Sequence, residues 1–208
     1  GVLSRACRER RVRLVHVSTD YVFSGSEGPY REDSPTSHAA NWYGETKLEG
    51  ERAIQEIGGN VAIARIVLPY RRPPASRIDL PQLVRSRLSA GQPFVGAIDQ
   101  LVTPTLLDDV ADALTALAMS DGQGIYHLAG ATLLSPFEAA LVVARTYGLD
   151  ESLVRPGTLA EITNQSNLAP RPVRTALLSD RFRTEFSNQI ERPLRGFVEG
   201  IGTFRDGF

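Results

Sequence analysis

Short apolar runs alternate along the chain with stretches in which apolar residues recur at helical spacing. The runs at 12–17 and 61–68 predict buried strands, and the second lacks alternation, as a strand covered by helices on both faces requires. A third short strand is expected at 125–129. Helices are expected between and after these strands, at 41–57, 79–91, 106–119 and 136–147. This order of elements favours an α/β fold.

The two ends of the chain and one long polar segment complete the pattern. Residues 2–11 are expected to end a helix that leads into the first strand. Apolar residues at helical spacing predict a terminal packing helix over 190–201. The segment 24–40 is polar and contains Gly, Pro and Ser, which favours a surface loop.

Two glycines, Gly44 and Gly50, stand inside the helix predicted at 41–57, which Asn41 can cap. Each glycine costs up to about 1 kcal/mol relative to alanine in a helix. That cost is tolerable where another backbone must approach closely, although the two glycines can also be incidental.

Tyr43 and Lys47 stand four positions apart on this helix, so their side chains leave the same face one turn apart. A phenol ordinarily titrates near pH 10 and is a poor proton donor at neutral pH. With an effective dielectric of about 20, an ammonium about 6 Å away changes the energy by roughly 3 kcal/mol, or about two pKa units. The pair therefore predicts a phenol that can act as an acid.

Thr19 follows the first predicted strand, where ligands bind in parallel α/β sheets. Its hydroxyl is placed to donate a hydrogen bond to the oxygen that Tyr43 would protonate. The Tyr-x-x-x-Lys spacing also occurs by chance, in which case Tyr43 is a half-buried aromatic residue and Lys47 a solvated lysine.

The segments around these residues carry a family resemblance. They read STDYVFSG at 18–25, PYREDSP at 29–35 and NWYGETKLEGE at 41–51, with supporting matches at 103–105, 108–111, 171–172 and 177–179. With these segments the sequence resembles the extended short-chain dehydrogenase/reductase superfamily and, within it, the dTDP-4-dehydrorhamnose reductase family. The resemblance covers nearly the whole chain.

The resemblance implies a single NAD(P)-binding, Rossmann-like reductase domain over 1–208. A parallel sheet with helices on both faces is expected to carry a small C-terminal substrate-binding lobe, built from segments at about 70–100 and 149–208. Family members hold the cofactor pyrophosphate at a glycine-rich turn between a strand and a helix. No glycine cluster here has that context. We therefore expect an N-terminally truncated reductase that contains only the later strands, with an exposed sheet edge that favours self-association.

The resemblance also implies an activity and roles for individual residues. The intact enzyme would use NADPH or NADH to reduce the 4-keto group of a deoxy-sugar nucleotide, as a short-chain type oxidoreductase. Thr19, Tyr43 and Lys47 are the expected catalytic residues, with Lys47 also binding the nicotinamide ribose. The expected cofactor contacts are Ser18, Tyr43, Lys47, Ile66 and Pro69. The expected substrate contacts are Thr19, Asp20, Tyr21 and Arg171, the last of which is a phosphate ligand or a surface arginine.

Two alternatives remain open at this point. The family also contains a regulatory subunit of methionine adenosyltransferase, which keeps much of the same signature and binds a protein partner. The chain can also be an inactive fragment, because the pyrophosphate-binding turn is missing from it.

Composition narrows the possible binding partners and cellular location of the protein. The chain has 23 Lys and Arg against 24 Asp and Glu, so no strong charge favours binding to nucleic acid or to a membrane. The single Cys7 excludes an internal disulfide and fits a cytoplasmic location. No apolar run approaches the length that spans a bilayer. The three histidines, His16, His38 and His127, lack metal-ligand spacing, so we expect no metal. A homodimer is compatible with the sequence.

Overall fold

A computed structural model of the 208-residue chain describes residues 1–72, 78–166, 171–186, 188–190 and 192–204. Parts of the substrate-lobe segments expected at 70–100 and 149–208 lie outside the described residues, at 73–77, 167–170, 187, 191 and 205–208.

Helices and strands follow one another along the described chain, and three helices come last. In chain order they are α1 Val2–Glu9, β1 Leu14–Thr19, α2 Trp42–Ile57, β2 Val61–Ile66, β3 Pro69–Tyr70, α3 Leu80–Ser89, β4 Phe94–Ala97, β5 Thr105–Leu106, α4 Leu107–Ala118, β6 Gly124–Leu128, α5 Pro136–Tyr147, β7 Val154–Gly157, α6 Leu159–Ser166, α7 Asp180–Phe186 and α8 Phe197–Gly202.

The main sheet contains three parallel strands in the order β1-β2-β6. Thr19, Ile66 and Leu128 are register partners at the carboxyl ends of the three strands. Two further parallel pairs, β3 with β5 and β4 with β7, lie outside this sheet. Within the described residues, β1 pairs with no strand on its second side, so the expected sheet edge is present. Self-association through it stays a prediction.

Helices cover both faces of the main sheet, as expected. Along β2, Ala62 and Ala64 pack into a core cluster with Val110 and Leu117 of α4. Arg65, which points to the other face, meets α2 instead. Successive side chains of a strand point to opposite faces, so a continuous apolar strand can serve two helix layers at once.

A second core cluster joins α3, α5 and α8 to strands β4 and β7. Its centre includes Val84, Val143 and Phe197, all fully buried. Local capping fixes the bounds of these helices: Asp79 caps α3, and Ser135 with Glu138 forms a capping box at the start of α5. The bounds of α5 are those expected from the sequence.

The terminal helix is shorter than expected, because α8 begins at Phe197 and not at residue 190. Pro193 disfavours helical backbone at the residue before it, and Gly196 occupies the N-cap position. Val198, which lies within the range 190–201 predicted to form a packing helix, is 61% exposed. In the described part of the chain, no helix is long and apolar enough to cross a membrane.

Candidate active site

The end of β1 carries two buried hydroxyls. The strand extends two residues further than its apolar run, so Ser18 and Thr19 are its last residues. Ser18 is 2% exposed, and its Oγ has no hydrogen-bond partner within the described residues. An unpartnered buried hydroxyl is costly unless a ligand completes it, which makes this strand end a candidate binding site.

Thr19 is already bonded to its neighbours. Its Oγ1 donates to Asp20 Oδ1 at 2.9 Å and accepts the backbone N–H of Tyr21 at 3.3 Å. Burial raises the pKa of the Asp20 carboxyl to about 7, against the opposing effect of hydrogen bonds from Thr175 and Thr19. Thr19 Oγ1 has one proton, so Thr19 can donate to a ligand only when that proton no longer points at Asp20. A protonated Asp20 allows this, because its own O–H can then donate to Thr19 Oγ1.

Helix α2 lies unusually close to the turn that follows β1. Asn41 caps the helix by accepting the N–H of Gly44 at 3.1 Å, and the carbonyl of Tyr21 accepts the N–H of Ala40 at 3.1 Å. A Cβ placed on Gly44 would lie 2.0 Å from that same Tyr21 oxygen. The close approach that the sequence suggested for a helix glycine is thus present at Gly44.

Tyr43 and Lys47 project from α2 beside the end of β1. The Tyr43 side chain is 53% exposed, and its ring contacts the ring of Tyr21 edge-on, with the centroids 6.0 Å apart. The Lys47 ammonium donates to the backbone carbonyl of Val17 at 3.0 Å. Because an ammonium has three N–H donors, two can serve other acceptors. The accessible phenol can donate a proton to a ligand, and the cation fixed next to Ser18 can bind a ligand hydroxyl.

Arg171 lies near Tyr21 and lines a cavity. Burial and the Asp20 charge raise the pKa of Tyr21, and the Arg171 charge opposes this shift. The cavity has a volume of about 490 Å³, which is in the usual range for small-molecule sites. It is lined by Ser24, Gly25, Ser26, Ala40, Arg171, Pro172, Val173 and Arg174.

The segment 29–32 holds the two walls of this cavity together. The backbone of Tyr30 bonds to Ala176 and Leu178 at 2.8 Å each, and the backbone N–H of Arg174 donates to Gly25 O at 2.8 Å. The Tyr30 ring stacks on Phe23, with the centroids 4.1 Å apart. This segment therefore acts as a structural strap between residues close to β1 and residues near the end of the chain.

The remaining expected site residues are less closely placed. Ile66 is the register partner of Thr19, but its side chain packs against the core cluster under α4. Pro69 begins β3, which pairs with β5 outside the main sheet. Their expected contact with a cofactor stays a prediction.

Some residues of the site were missed by the sequence argument. Ser24 and Ser26 line the cavity, and Thr175, more than 150 residues along the chain, lies close enough to Asp20 to lower the pKa of its carboxyl. No local pattern could have connected Thr175 to β1. Within the described residues, no cluster of three or more His, Cys, Asp or Glu could hold a metal ion.

The buried Asp20 carboxyl predicts a pH dependence of folding. Its pKa in the folded chain, about 7, lies above the ordinary value of 3.8, so its contribution to stability is complete below pH 4 and is lost as the pH rises through 7. Between pH 5 and pH 8 the parent chain should lose on the order of 2 kcal/mol relative to Asp20→Asn. Urea unfolding of both chains at the two pH values measures this difference, and a constant difference would contradict the prediction.

Comparison with known proteins finds a matching family and relatives that include a reductase. The sequence profile of the family described as the RmlD substrate binding domain matches residues 1–200. A dTDP-4-dehydrorhamnose reductase of Mycolicibacterium smegmatis is 35% identical over 187 residues, which cover 87% of this chain and 54% of that protein. Methionine adenosyltransferase 2 subunit beta of Xenopus laevis is 36% identical over 155 residues, covering 70% of this chain and 45% of that protein. The chain thus spans about half the length of these relatives.

A solved structure shows the same fold. The dTDP-4-dehydrorhamnose reductase of Bacillus anthracis, in complex with NADP, superposes with a TM-score of 0.83 and 22% identity, covering 99% of this chain and 69% of that one. The expected Rossmann-like architecture is confirmed.

Proposed function

We propose, on the premise that the chain belongs to the RmlD substrate binding domain family of extended short-chain reductases, that it carries the catalytic and substrate-binding residues of an NAD(P)H-dependent sugar-nucleotide reductase. The reaction is the reduction of the 4-keto group of a deoxy-sugar nucleotide. The observation that carries the proposal is the accessible Tyr43 phenol, one helical turn from Lys47, beside the buried hydroxyls at the end of β1.

Tyr43 is the proposed proton donor to the carbonyl oxygen. Its exposed ring edge leaves room for a substrate, and the edge-on contact with Tyr21 restricts the ring's orientation. Thr19 is the proposed second donor to the same oxygen, once protonated Asp20 donates to Thr19 Oγ1 in its place. Two aligned donors stabilise the negative charge that develops on a carbonyl oxygen during reduction.

The chain also offers groups that fit a nicotinamide cofactor. The unpartnered Ser18 hydroxyl and the two remaining N–H donors of Lys47 suit the hydroxyls of a ribose. NADPH or NADH, when bound, supplies a hydride for the carbonyl carbon. Lys47 would hold the ribose while its backbone contact with Val17 keeps the ammonium beside Tyr43.

The cavity beside Arg171 is the proposed location of the nucleotide diphosphate. A guanidinium suits phosphate because its planar fork of N–H donors matches the phosphate oxygens, and Ser24 and Ser26 add hydroxyl donors to the same cavity. Asp20 is bonded to Thr19, and Tyr21 lies within reach of the Arg171 charge, so these two residues are the proposed contacts of the sugar.

Removing the Arg171 guanidinium should weaken binding of the substrate selectively. Arg171→Ala is expected to raise the KM for the sugar nucleotide about tenfold or more, because a hydrogen bond to a charged group is lost. The KM for NADPH should stay within about twofold. Arg145→Ala is the matched control, since Arg145, on α5, is exposed and pairs with Glu151 beyond the end of that helix. Equal KM values for Arg171→Ala and the control would contradict the proposed site.

The proposed function is tested with the full product of the reading frame that contains these 208 residues. Oxidation of NADPH or NADH at 340 nm should depend on an added 4-keto deoxy-sugar nucleotide, with the reduced sugar identified by mass. A protein that binds the cofactor but reduces none of a panel of such ketones would rule out this function.

A regulatory subunit is the second candidate, favoured by the 36% identity to methionine adenosyltransferase 2 subunit beta. This function requires a complex with a methionine adenosyltransferase catalytic subunit. Co-purification of the two proteins, combined with the absence of ketone reduction, would support it in place of the reductase.

A further inference from the structure

Glu51 continues the line of Tyr43 and Lys47 along α2. It lies four residues after Lys47, so it projects from the same side of the helix one turn further on. Unlike Tyr43 and Lys47, Glu51 is completely buried, at 1% exposure. A buried carboxylate in line with an active-site pair requires a partner.

The partner is Arg65 on β2, the central strand of the main sheet. Arg65 Nε and Nη2 donate to the two carboxylate oxygens of Glu51 at 3.1 and 2.7 Å, a fork-to-fork arrangement. The Arg65 guanidinium also lies over the ring of Phe23, 4.9 Å from its centroid. These contacts restrict the pair to one geometry.

His127 completes the surroundings of Arg65. Burial, followed by the Arg65 charge, lowers the pKa of His127 to about 3, so its imidazole is neutral at physiological pH. Its Nδ1 lies 3.0 Å from the carbonyl of Leu178, which assigns the proton to Nδ1. Nε2 then accepts from Arg65 Nη1 at 3.5 Å. The strand β6 therefore also restrains the guanidinium.

Stability alone gives little reason for a buried ion pair. The desolvation of two charges cancels much of their attraction, and replacement by apolar residues of similar volume is often neutral or stabilising. What the pair does provide is orientation. Its two parallel hydrogen bonds join α2 to β2 and form only when the helix has one particular rotation about its long axis. At the next turn, Lys47 is bonded to β1.

We propose that the Glu51–Arg65 pair is a positioning device, which sets the rotation of α2 and thereby holds the Tyr43 phenol and the Lys47 ammonium in line with Thr19. The inference rests on the proposed reductase function for its catalytic consequence. Glu51 and Arg65 act through α2 and touch neither substrate nor cofactor.

The decisive variant replaces the charged pair by an apolar one, Glu51→Met with Arg65→Met. The urea unfolding midpoint should stay close to that of the parent, whereas kcat should fall about tenfold to a hundredfold, because small displacements of reacting groups are costly. The KM for the sugar nucleotide should change less than about threefold, since the residues proposed to bind it are untouched. The exposed pair Arg145 and Glu151, changed to Met in the same way, is the control and should leave kcat unchanged.

A second readout does not depend on activity. The rings of Tyr21 and Tyr43 are in edge-on contact, so their protons should give NOE cross-peaks in a tyrosine-labelled parent chain. These cross-peaks should weaken in the apolar double variant and persist in the control. If the parent reduces no ketone, the proposed function fails while the NOE comparison still decides the positioning role.

A folded double variant with parental kcat and parental NOE intensities would overturn the proposal. Should that variant fail to fold, Arg65→Lys takes its place, since it keeps the charge but loses the fork. It should lower kcat with an unchanged KM, and parental kcat in this variant would equally overturn the proposal.

Discussion

Tyr43→Phe is expected to lower the kcat for ketone reduction by about 10²–10⁴-fold, because the variant has no proton to donate to the carbonyl oxygen. The hydroxyl is on a ring that is 53% exposed, so its removal should change the free energy of unfolding by no more than about 0.5 kcal/mol. The measurement is steady-state NADPH oxidation with a 4-keto deoxy-sugar nucleotide, using the full product of the reading frame.

Binding of the cofactor provides the control for this variant. Lys47 and Ser18, the proposed ribose ligands, are unchanged in Tyr43→Phe, so titration calorimetry should give an NADPH affinity within a few-fold of the parent. A variant that binds NADPH and still reduces the ketone at the parental rate would remove Tyr43 from the mechanism. Equal loss of binding and turnover would instead indicate a structural role.

Gly44→Ala is expected to destabilise the chain by about 1–3 kcal/mol, the usual cost of overpacking. The added Cβ would lie 2.0 Å from the Tyr21 carbonyl oxygen and 2.9 Å from the Ala39 Cβ, so α2 or the turn after β1 must move. Because the Tyr21 oxygen also accepts the N–H of Ala40, the turn has little freedom to shift. Urea unfolding of the 208-residue chain, monitored by far-UV circular dichroism, measures the change in the free energy of unfolding.

Gly50→Ala on the same helix is the matched control. The nearest atom to its added Cβ is His16 Nε2, at an ordinary contact distance of 3.9 Å. The substitution should therefore stabilise the chain by up to about 1 kcal/mol, as alanine does for glycine in a helix interior. The two substitutions are chemically identical and should have opposite signs. If both stabilised the chain, the close approach at Gly44 would be wrong.

The elements that the sequence predicted well are those whose signals are local. The start of α5 depends on Ser135, Pro136 and Glu138, all within four positions, and the start of α2 depends on the Asn41 side chain. The strands and helices of the main sheet follow from periodicity for the same reason. The α8 start was wrong because apolar spacing continued through Pro193, which ends helical preference without interrupting the pattern.

The site was predictable only as far as its motif extends. Thr19, Tyr43 and Lys47 stand within 29 positions in one segment, and the structure brings Tyr43 and Lys47 beside the strand end that carries Thr19. The burial of Asp20 could not be predicted, because it depends on packing against distant residues, among them Thr175. Likewise, Glu51 is recognisable on the helix by spacing, but its partner Arg65 is fixed by the packing of α2 on β2.

The strap at 29–32 also determines when the cavity can form during synthesis and folding of the chain. The Arg174 side chain donates to the carbonyl of Gly28, which is 146 residues away, and the neighbouring backbone bonds span similar distances. Closing so long a loop has an entropic cost, and contacts of this sequence separation therefore form late in folding. On the ribosome, the main sheet can begin to assemble as soon as β2 emerges, but both walls of the cavity meet only after the segment beyond Arg171 has been synthesised. A stalled or shortened translation product would therefore contain Tyr43 and Lys47 on a folded helix without the pocket that selects the substrate.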